Sequence, residues 1–422
     1  MGDKPIFVLG AGISGLVLAQ YLRKTGISFR IFDRDDGVAT RGLGWALTLH
    51  WSLPALRSLL PDDLVQRIPE TYVDRAAVAE GKASRFPFFD LSTGDLKATT
   101  PTASTDTRIR VSREKFRRLL ATGLDIQWGK AANAFHTNDD GSVTVHFDDG
   151  SSSDGSLVVA CDGGNSRIRR QLFPGQKNYE IPIGLIGLKL QMAPEEIEPL
   201  RKLDAFFLQG TSSRDNSYIY FSILDAPGND EGTNEGGNYT CQIVVSWTTQ
   251  GDSSSSTPVP DTDEESLSLI KSFASAWAEP FRSLILNIPP GTTTQRLNLT
   301  DWPPPRDLRT SGNVALVGDA LHPMAMYRGE GANHAIVDVL NFVEIVVPYF
   351  AGGVEGKPTG EDSLRALLNQ YESKVVARTR PAVLASRQAC LDAHDWGRIN
   401  AQSPLLSKRA MFLDFDENNL SA

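Results

Sequence analysis

The sequence predicts an α/β fold in which a parallel-sheet domain is interrupted by a mainly antiparallel β-sheet domain and followed by C-terminal helices. Residues 5–34 have the pattern strand, glycine turn, helix, strand, and such a βαβ unit requires a parallel sheet with covered faces. Residues 180–300 contain apolar strands separated by long polar loops, which is typical of an antiparallel sheet. Residues 313–319, NVALVGD, are again a buried strand and a glycine turn, so the first domain resumes there.

The individual elements follow from local patterns. IFVLG is an apolar run, SGLVLAQYLRKTG has helical spacing and closes on Gly26 as a C-cap, and SFRIFD alternates as a strand does. The amphipathic stretch 113–123 predicts a helix, and the Asp-Gly turn in VTVHFDDGSS predicts a hairpin within 140–160. Residues 40–110 are read as irregular, because proline and glycine interrupt them repeatedly.

The middle of the chain has the pattern of strands, whereas its end has the pattern of helices. LIGLKLQM, SYIYFSIL and CQIVVSW predict three strands of the antiparallel sheet. Two C-terminal helices are expected over residues 363–379 and 381–396, separated at Pro381, because proline lacks the N–H that a continuous helix needs.

Composition and charge limit the class of protein. The 422 residues leave room for two or three domains, and the net charge of −9 disfavours nucleic acid or an anionic membrane as the partner. Cys161, Cys241 and Cys390 form no CxxC pair, which argues against a disulfide framework or a cysteine zinc site. No apolar run reaches the roughly 18 residues of a membrane span. We therefore expect a cytoplasmic protein, monomeric or homodimeric, without stable membrane insertion.

The first glycine turn has the spacing of a dinucleotide-binding motif. Gly10, Gly12 and Gly15 form GxGxxG between a strand and a helix, where the Rossmann fingerprint requires them. Gly10 allows the tight turn, Gly12 the approach of a pyrophosphate, and Gly15 the close packing of helix on strand. Asp33 ends the second strand, the place of an acid that binds ribose hydroxyls. This motif alone leaves open whether the dinucleotide is NAD(P) or FAD.

Three further segments favour FAD over NAD(P), because each of them resembles a motif of a known family. LVVACDGGNSRIRRQL resembles a DG motif at Asp162, VSREKFRRLL resembles a cofactor-contacting segment at Arg113, and GDALHPMAMYRGEGANHAI resembles a GD motif at Asp319. In this order and spacing the motifs are similar to those of the class A FAD-dependent monooxygenases. That para-hydroxybenzoate hydroxylase-like family includes tetracycline-inactivating and fungal biosynthetic hydroxylases.

The resemblance implies FAD as the cofactor and a set of residues that bind it. Asp319 would bind the ribityl chain, and the turn Gly329–Asn333 would lie along the isoalloxazine ring. The complete set of expected cofactor-binding residues is Gly10, Gly12, Ser14, Gly15, Asp33, Arg34, Arg41, Ala46, Arg113, Asp162, Gly318, Asp319, Gly329, Gly331, Ala332 and Asn333.

The residue types in the third segment suit this role on physical grounds. An ionised aspartate such as Asp319 only accepts hydrogen bonds, which matches polyol hydroxyls. GEGAN presents backbone N–H groups at a helix start, whose positive end stabilises negative charge on a reduced flavin. Two positions depart from the family: Met326 replaces a usual proline beside the flavin's reactive edge, and Asp33 replaces the usual glutamate.

The resemblance also implies a domain organisation and a reaction. NAD(P)H, as a transient co-substrate, reduces FAD, O₂ adds at C4a, and the hydroperoxide transfers one oxygen atom to a small organic substrate, aromatic or polyketide-like. The expected domains are 1–175, the first part of the Rossmann-like FAD-binding domain, in which 50–107 contributes to the substrate pocket; 176–300, the interleaved β-sheet substrate or lid domain; 301–350, the second part of the FAD-binding domain; and 351–422, the C-terminal helices and tail.

Three side chains of the middle sheet are candidate catalytic residues. Strand alternation places Lys189 on one face of its strand and groups Tyr218 with Tyr220. In the resembled family this sheet covers the active site, so these residues are expected to bind or activate a substrate hydroxyl; a solvated outer face is the alternative. No metal is expected, and His322 and His334 are interpreted as polar residues near the cofactor.

Other functions remain open at this point. Epoxidation or Baeyer–Villiger oxidation would use the same scaffold. An NAD(P)-dependent dehydrogenase would explain the first glycine motif but not the later segments, and a flavin-carrying protein without turnover would explain all of them. The identity of the substrate and the choice between NADPH and NADH are not encoded in any motif.

Overall fold

The computed structural model describes residues 4–40, 44–101, 103–229, 237–249, 257–351, 361–417 and 420. Within these ranges the strands are β1 (Ile6–Leu9), β2 (Phe29–Phe32), β3 (Ala46–Leu49), β4 (Phe88–Asp90), β5 (Leu96–Ala98), β6 (Ile109–Ser112), β7 (Ile126–Gln127), β8 (Ala132–Thr137), β9 (Val143–Phe147), β10 (Ser152–Gly155), β11 (Leu157–Ala160), β12 (Tyr179–Glu180), β13 (Ile183–Met192), β14 (Phe207–Thr211), β15 (Tyr218–Asp225), β16 (Tyr239–Thr248), β17 (Thr294–Arg296), β18 (Thr300–Asp301) and β19 (Val314–Leu316).

The α-helices of the same ranges are α1 (Ile13–Thr25), α2 (Leu53–Leu59), α3 (Asp62–Arg67), α4 (Arg75–Ala79), α5 (Arg113–Leu120), α6 (Arg167–Leu172), α7 (Pro194–Arg201), α8 (Asp263–Ala274), α9 (Phe281–Leu286), α10 (Gly331–Ile345) and α11 (Glu361–Asp392). Short 3-10 helices lie at Ile68–Thr71, Gly318–Ala320, Met326–Arg328, Val347–Tyr349 and Trp396–Arg398.

The first sheet is parallel, with the strand order β19-β11-β1-β2-β7. Val158 of β11 lies opposite Val314 of β19, so the strand in NVALVGD rejoins the N-terminal sheet as predicted. Buried apolar residues of α1, α10 and α11, among them Leu16, Phe342 and Tyr371, form one core with this sheet. Because all its strands run the same way, the turns after β1, β2, β11 and β19 meet at one edge, where ligands of such sheets bind.

The second large sheet has the strand order β17-β13-β16-β15-β14-β4-β5 and is antiparallel except between β14 and β4. The three strands predicted in the middle of the chain are β13, β15 and β16. One face, with Ile186 and Leu188, packs against Ile270 of α8 and Phe281 of α9 in a second core. The predicted hairpin within 140–160 is also present, as β9 and β10 with Val143 opposite Gly155.

Residues 40–110 are more regular than the sequence predicts. They contain β3 to β5 and α2 to α4, and β4 extends the second sheet through the pairing of Gln209 with Phe88. The prediction of an irregular region was wrong for a physical reason. These strands have three or four residues each, too few for alternation to be visible, and β3 and β4 pair with β6 and β14, which lie far along the chain.

The predicted break at Pro381 is also wrong, because α11 continues through it from Glu361 to Asp392. A proline inside a helix removes one backbone hydrogen bond and costs about 3 kcal/mol. Tertiary contacts along the helix offset this cost. The Tyr371 hydroxyl donates to the Leu316 carbonyl at 2.9 Å, and Arg378 and Arg387 form ion pairs with buried aspartates on either side of the proline.

No helix among the described residues is both long enough and apolar enough to cross a membrane.

Candidate active site

A cleft of about 800 Å³ lies between the carboxyl edge of the parallel sheet and one face of the second sheet. Most of the predicted cofactor residues line it. These are Gly10, Gly12, Ser14, Asp33, Arg34, Ala46, Arg113, Asp162, Asp319, Gly329, Gly331 and Ala332. Tyr218 and Tyr220 line its other side. Gly15, Gly318, Asn333 and Lys189 do not line it, and Arg41 lies outside the described residues.

The first turn is shaped by two glycines that have no space for a side chain. Gly10 has φ of 110°, and a Cβ there would lie 2.3 Å from the Cys161 carbonyl oxygen. At Gly15 a Cβ would lie 1.9 Å from the Gly10 oxygen, so this residue allows close packing of α1 on β1 instead of lining the cleft. Gly12 differs, because a Cβ there would meet no atom of the described residues within 4 Å. Its open side faces the cleft.

Asp33 holds this turn in place. Its carboxylate accepts hydrogen bonds from the backbone N–H of Ala11 at 2.5 Å and of Asp35 at 2.8 Å. The buried Arg117 donates to the Ala11 carbonyl at 2.8 Å and pairs with Asp35 at 2.9 Å. Sequence reasoning missed Arg117, although it follows Arg113 by four residues and therefore lies on the same face of α5.

The second turn, after β11, contains an unsatisfied acceptor. One oxygen of Asp162 accepts from the Arg167 N–H at 3.0 Å, whereas the other has no hydrogen-bond partner among the described residues. Burial raises the pKa of this carboxyl. Arg169 then connects this turn to the third one, since it donates to the carbonyls of Gly164 at 2.6 Å and Ala320 at 2.8 Å.

The third turn, after β19, presents Asp319 to the cleft. Gly318 lies behind it, where a Cβ would approach Ala335 and Ser14 at 3.1 Å. The Gly318 N–H donates to the buried Asp338 at 2.8 Å. This hydrogen bond anchors the turn to α10 and so positions Asp319.

Asp338 is the centre of a buried charged cluster. It accepts from His322 at 2.6 Å and pairs with Arg378, which also donates to His334 at 2.6 Å. Burial opposes the charged carboxylate, but His322 and Arg378 outweigh it and hold the pKa of Asp338 below its usual value. Burial, and then Arg378, lowers the pKa of His334 far below its usual range. The two histidines therefore support the turn from behind.

The loop from Met326 to α10 forms the floor of the cleft. Gly329 has φ of 65°, and Gly331 and Ala332 line the cleft at the start of the helix. The Asn333 side chain turns away: it donates to the Thr48 carbonyl at 2.9 Å and accepts from the His50 N–H at 3.0 Å. Asn333 thus ties α10 to the strand that carries Ala46, rather than lining the cleft itself.

The second sheet contributes aromatic side chains. The buried Tyr218 donates to Gln209 at 2.9 Å, and the Tyr220 hydroxyl accepts from Arg110 at 2.5 Å. Lys189 is exposed and lies outside the cleft lining. No residue of its strand, β13, lines the cleft, so this placement does not support the role expected for it.

A directed chain of hydrogen bonds leads away from Tyr327, a cleft residue that sequence reasoning missed. His394 Nδ1 lies 2.7 Å from the Cys390 carbonyl, which can only accept, so Nδ1 carries the proton. The Ser246 hydroxyl must then donate to His394 Nε2 at 2.9 Å, and it accepts from the Tyr327 hydroxyl at 2.8 Å. Burial lowers the pKa of His394 to about 4, so its ring is neutral near pH 7.

Within the described ranges, no three His, Cys, Asp or Glu side chains are grouped as metal ligands. The polar groups along the cleft suit an FAD instead. Asp162 has a buried acceptor without a partner, Asp319 faces the cleft, and Gly12 leaves space against the backbone. Such groups fit hydroxyl donors and phosphate.

Comparisons with known proteins also indicate a protein that binds FAD. The FAD binding domain family matches residues 3–353. A protein of Arthroderma benhamiae named "Probable FAD-dependent monooxygenase" is 41% identical, over 97% of this chain and 96% of its own. An FAD-dependent monooxygenase of Emericella nidulans is 36% identical, over 84% of this chain and 91% of its own.

Two solved structures have the same fold. The 2,6-dihydroxypyridine-3-hydroxylase of Arthrobacter nicotinovorans superposes with a TM-score of 0.73 at 18% identity and covers 96% of either chain. Klebsiella pneumoniae HpxO, in complex with FAD and uric acid, has a TM-score of 0.68 at 21% identity and covers 94% of this chain and 91% of its own. With the family match and the relatives, the chain belongs to the class A, para-hydroxybenzoate hydroxylase-like family of FAD-dependent monooxygenases.

Proposed function

We propose that the protein is a hydroxylase that uses NAD(P)H and O₂ to insert one oxygen atom into a small aromatic substrate. The observation that supports this most directly is the continuity of the cleft. One cavity of about 800 Å³ extends from the glycine turn at Gly10 to the aromatic side chains of Tyr218 and Tyr220. A cofactor held by the turns would therefore face a substrate held against the sheet.

We assign the three turns to the binding of FAD. Gly12 and Ser14, at the start of α1, offer backbone N–H groups and the positive end of a helix dipole to the pyrophosphate. Asp33 and Arg34 would bind the adenosine end, and Asp162 and Asp319 would accept hydrogen bonds from ribityl hydroxyls. When bound, FAD takes a hydride from NAD(P)H and activates O₂ for transfer of one oxygen atom.

The start of α10 supplies electrostatic stabilisation in this proposal. The first N–H groups of a helix have no partner within the helix, and Gly331 and Ala332 bring theirs to the cleft. Preorganised donors of this kind stabilise negative charge as it develops during a reaction. Asn333 acts as a positioning residue, because its hydrogen bond to Thr48 fixes the helix start against β3.

The sheet face orients the substrate. Burial raises the pKa of Tyr218 and Tyr327 well above the usual value, so both phenols stay protonated and act by hydrogen bonding rather than as bases. Since Tyr327 donates its proton towards Ser246, its oxygen, which also contacts the Cys390 thiol, can accept a hydrogen bond from a substrate hydroxyl. Tyr220, held by Arg110, completes this wall.

The test is turnover with labelled oxygen. The purified FAD-bound protein is mixed with NADPH or NADH and with a series of phenols and hydroxylated polycyclic aromatics under isotopically labelled O₂. We expect at least one compound to stimulate NAD(P)H oxidation and to yield a product that carries one labelled oxygen atom.

The same experiment separates the alternatives. The position of the label in the product distinguishes hydroxylation from epoxidation or Baeyer–Villiger insertion. Stimulated NAD(P)H oxidation with a product that contains no labelled oxygen would contradict the proposal, and so would a neutral aliphatic substrate that is turned over in preference to every aromatic one.

A further inference from the structure

Three residues with sulfur atoms line the cleft in the described part of the chain: Cys161, Met324 and Met326. A sulfur atom beside a site that activates oxygen can itself accept that oxygen, because thiols and thioethers are among the most easily oxidised groups of a protein. The three residues differ in burial and in the contacts of their sulfur atoms, and they therefore differ in reactivity.

Cys161 is protected from oxidation by its surroundings. Its side chain is 6% exposed and lies beside the glycine turn at Gly10. Burial raises the pKa of its thiol well above the usual value, so the thiol stays protonated near pH 7. The thiolate is the form of cysteine that reacts with oxidants, and the protonated Cys161 is therefore inert.

Met324 is half-buried, and its sulfur already accepts a hydrogen bond. The Ser386 hydroxyl of α11 donates to the Met324 sulfur, with the two atoms 3.8 Å apart. The side chain packs beside the start of α10, since a Cβ on Gly331 would lie 3.8 Å from the Met324 Cγ. A lone pair that accepts a hydrogen bond is less available to attack an oxidant, so we expect Met324 to be the less reactive methionine of the cleft.

Met326 is the exposed residue of the three. About 37% of its surface is accessible, whereas its neighbours Tyr327 and Arg328 are buried. Tyr327 packs against Tyr218 with ring centroids 5.0 Å apart, and Arg328 pairs with the buried Glu330 at 2.6 Å. These two anchored neighbours hold the loop in place. The thioether of Met326 is therefore presented to the cleft and is not part of the packed core.

Met326 lies where the two walls of the cleft meet. Its carbonyl accepts a hydrogen bond from the Gly329 N–H at 2.8 Å, which closes a tight turn in the loop that leads to Gly331 and α10. The proposed function assigns this loop to the flavin and assigns Tyr327, the next residue along the chain, to the substrate wall. A cleft without substrate thus leaves an accessible thioether between the two.

We propose that Met326 is a modification site: when the cleft holds no substrate, the enzyme transfers the activated oxygen atom to the Met326 sulfur and forms methionine sulfoxide. This inference rests on the proposed function, because it requires FAD and activated oxygen in this cleft. Exposure favours Met326 over Met324 and Cys161, since oxidation of sulfur follows accessibility.

The atoms and electrons of this step balance. Reduced FAD supplies two electrons and two protons, and the sulfur lone pair supplies two further electrons. The O–O bond of O₂ is broken, one oxygen atom forms the S–O bond, and the other leaves as water. The thioether is oxidised to the sulfoxide, and O₂ is reduced. Because methionine sulfoxide is a substrate of sulfoxide reductases, this modification at an exposed residue is reversible.

The test uses cycles of FAD reduction and reoxidation without NAD(P)H and without substrate. FAD in the purified protein is reduced by light and EDTA under nitrogen, and is then reoxidised in the dark by isotopically labelled O₂. Catalase removes any peroxide that escapes into solution. Mass spectrometry of tryptic peptides locates the label. We expect labelled sulfoxide at Met326 to exceed that at Met324, and that at the half-buried Met411 outside the cleft, by about tenfold.

Reoxidation by ferricyanide in the absence of O₂ is the matched control, because it removes the same two electrons from FAD without activating oxygen. Met326 should stay unmodified there. Hydrogen peroxide added in the dark without catalase is the second control, and it should oxidise Met326 and Met411 to extents within about threefold, as access from solvent alone dictates.

Met326→Leu shows which methionine carries the label. Met324 and Met326 lie in one tryptic peptide, residues 310–328. Leucine keeps the size of the side chain without its sulfur, so this peptide should carry about tenfold less label than in wild type, while the absorbance of bound FAD is retained. Transfer of the full label to Met324 would contradict the selectivity that the inference assigns to Met326.

Absence of labelled sulfoxide at Met326 after complete reoxidation of FAD would overturn the inference. Equal oxidation with ferricyanide would overturn it as well, and so would the same ratio of Met326 to Met411 oxidation in the cycles and with added peroxide. The cycles need neither NAD(P)H nor an aromatic compound. Labelled Met326 in a protein that incorporates oxygen into no added compound would therefore support the inference and refute the hydroxylase, and an active hydroxylase with unmodified Met326 would do the reverse.

Discussion

The parallel-sheet wall of the cleft is made of backbone turns, whereas the wall on the second sheet is made of side chains. Gly10, Gly12 and Asp162 lie in turns that directly follow strands of one sheet. On the other wall, Arg110 reaches Tyr220 from a strand about a hundred residues away in sequence. The first wall tolerates almost no change in backbone shape, and the second can change its ligand through single side chains.

The largest expected effect concerns the backbone wall. Gly10→Ala places a methyl group 2.3 Å from a backbone oxygen at a residue with φ of 110°, so both packing and backbone conformation oppose it. We expect a loss of about 3 kcal/mol in the free energy of unfolding. Urea denaturation measures this. A loss below about 1 kcal/mol would show that the turn is more adaptable than its contacts indicate.

Gly12→Ala is the matched substitution for Gly10→Ala, because it adds the same methyl group to the same turn. In the part of the chain that the structure describes, no atom lies within 4 Å of the added methyl group, so the stability of the protein after FAD removal should change by less than about 1 kcal/mol. FAD retention, measured by absorbance of the purified protein, should nevertheless fall, because the methyl group occupies the side that faces the cleft. Unchanged FAD retention would mean that the cofactor does not approach this residue.

The next prediction concerns the pH dependence of stability and tests His394, which contacts the side-chain wall through Ser246. His394 has a pKa of about 4 in the fold, against about 6.5 in an unfolded chain. Its contribution to stability is therefore complete above pH 6.5 and is lost as the pH falls towards 4, because the unfolded chain binds the proton first. Between pH 7 and pH 5 we expect a loss on the order of 2 kcal/mol from this residue.

The His394→Gln variant isolates this contribution. Urea denaturation of wild type and variant at both pH values should show a smaller decline in the variant. Other buried histidines, such as His334, remain in both proteins and cancel in the difference. Parallel pH dependences would mean that His394 is as easily protonated in the fold as in the unfolded chain.

A smaller effect is expected from Tyr327→Phe, which removes the first donor of the chain to Ser246 and His394. We expect substrate-stimulated NAD(P)H oxidation to fall about tenfold, the worth of one well-placed hydrogen bond, with FAD retention unchanged. Tyr371→Phe is the control, since it deletes the same atom from a buried tyrosine outside the cleft. Equal activity of the two variants would show that the Tyr327 hydroxyl does not contribute to turnover.

The smallest effect is expected from Lys189→Ala. The sequence made this residue a candidate for the substrate site, with a solvated outer face as the alternative, and in the structure it is exposed and does not line the cleft. Turnover should therefore stay within about twofold of wild type, because the substitution removes no side chain from the cleft lining. A tenfold loss would restore Lys189 to the site and would require the sheet to bend over the cleft when substrate binds.

Sequence reasoning succeeded where a pattern is local. The turn after β1, the helix that closes on Gly26 and the strands β13, β15 and β16 were all predicted from runs of fewer than twenty residues. It failed at Pro381, where buried contacts on both sides of the residue keep α11 continuous. It failed again for β4 and β5, which are too short to show a period.

The sequence by itself determined the family and most residues of the parallel-sheet wall, because each glycine turn lies in one short strand-turn-helix segment whose spacing is visible as a motif. Only the tertiary structure decided the wall that we propose to bind the substrate. Phe86, Arg110, Tyr327 and His394 belong to separate elements, and each has a common residue type with no motif around it. The hydrogen bonds between these residues form only when the second sheet and α11 bring the residues together. Such interactions depend on distances of a few ångströms between atoms that are remote in the chain.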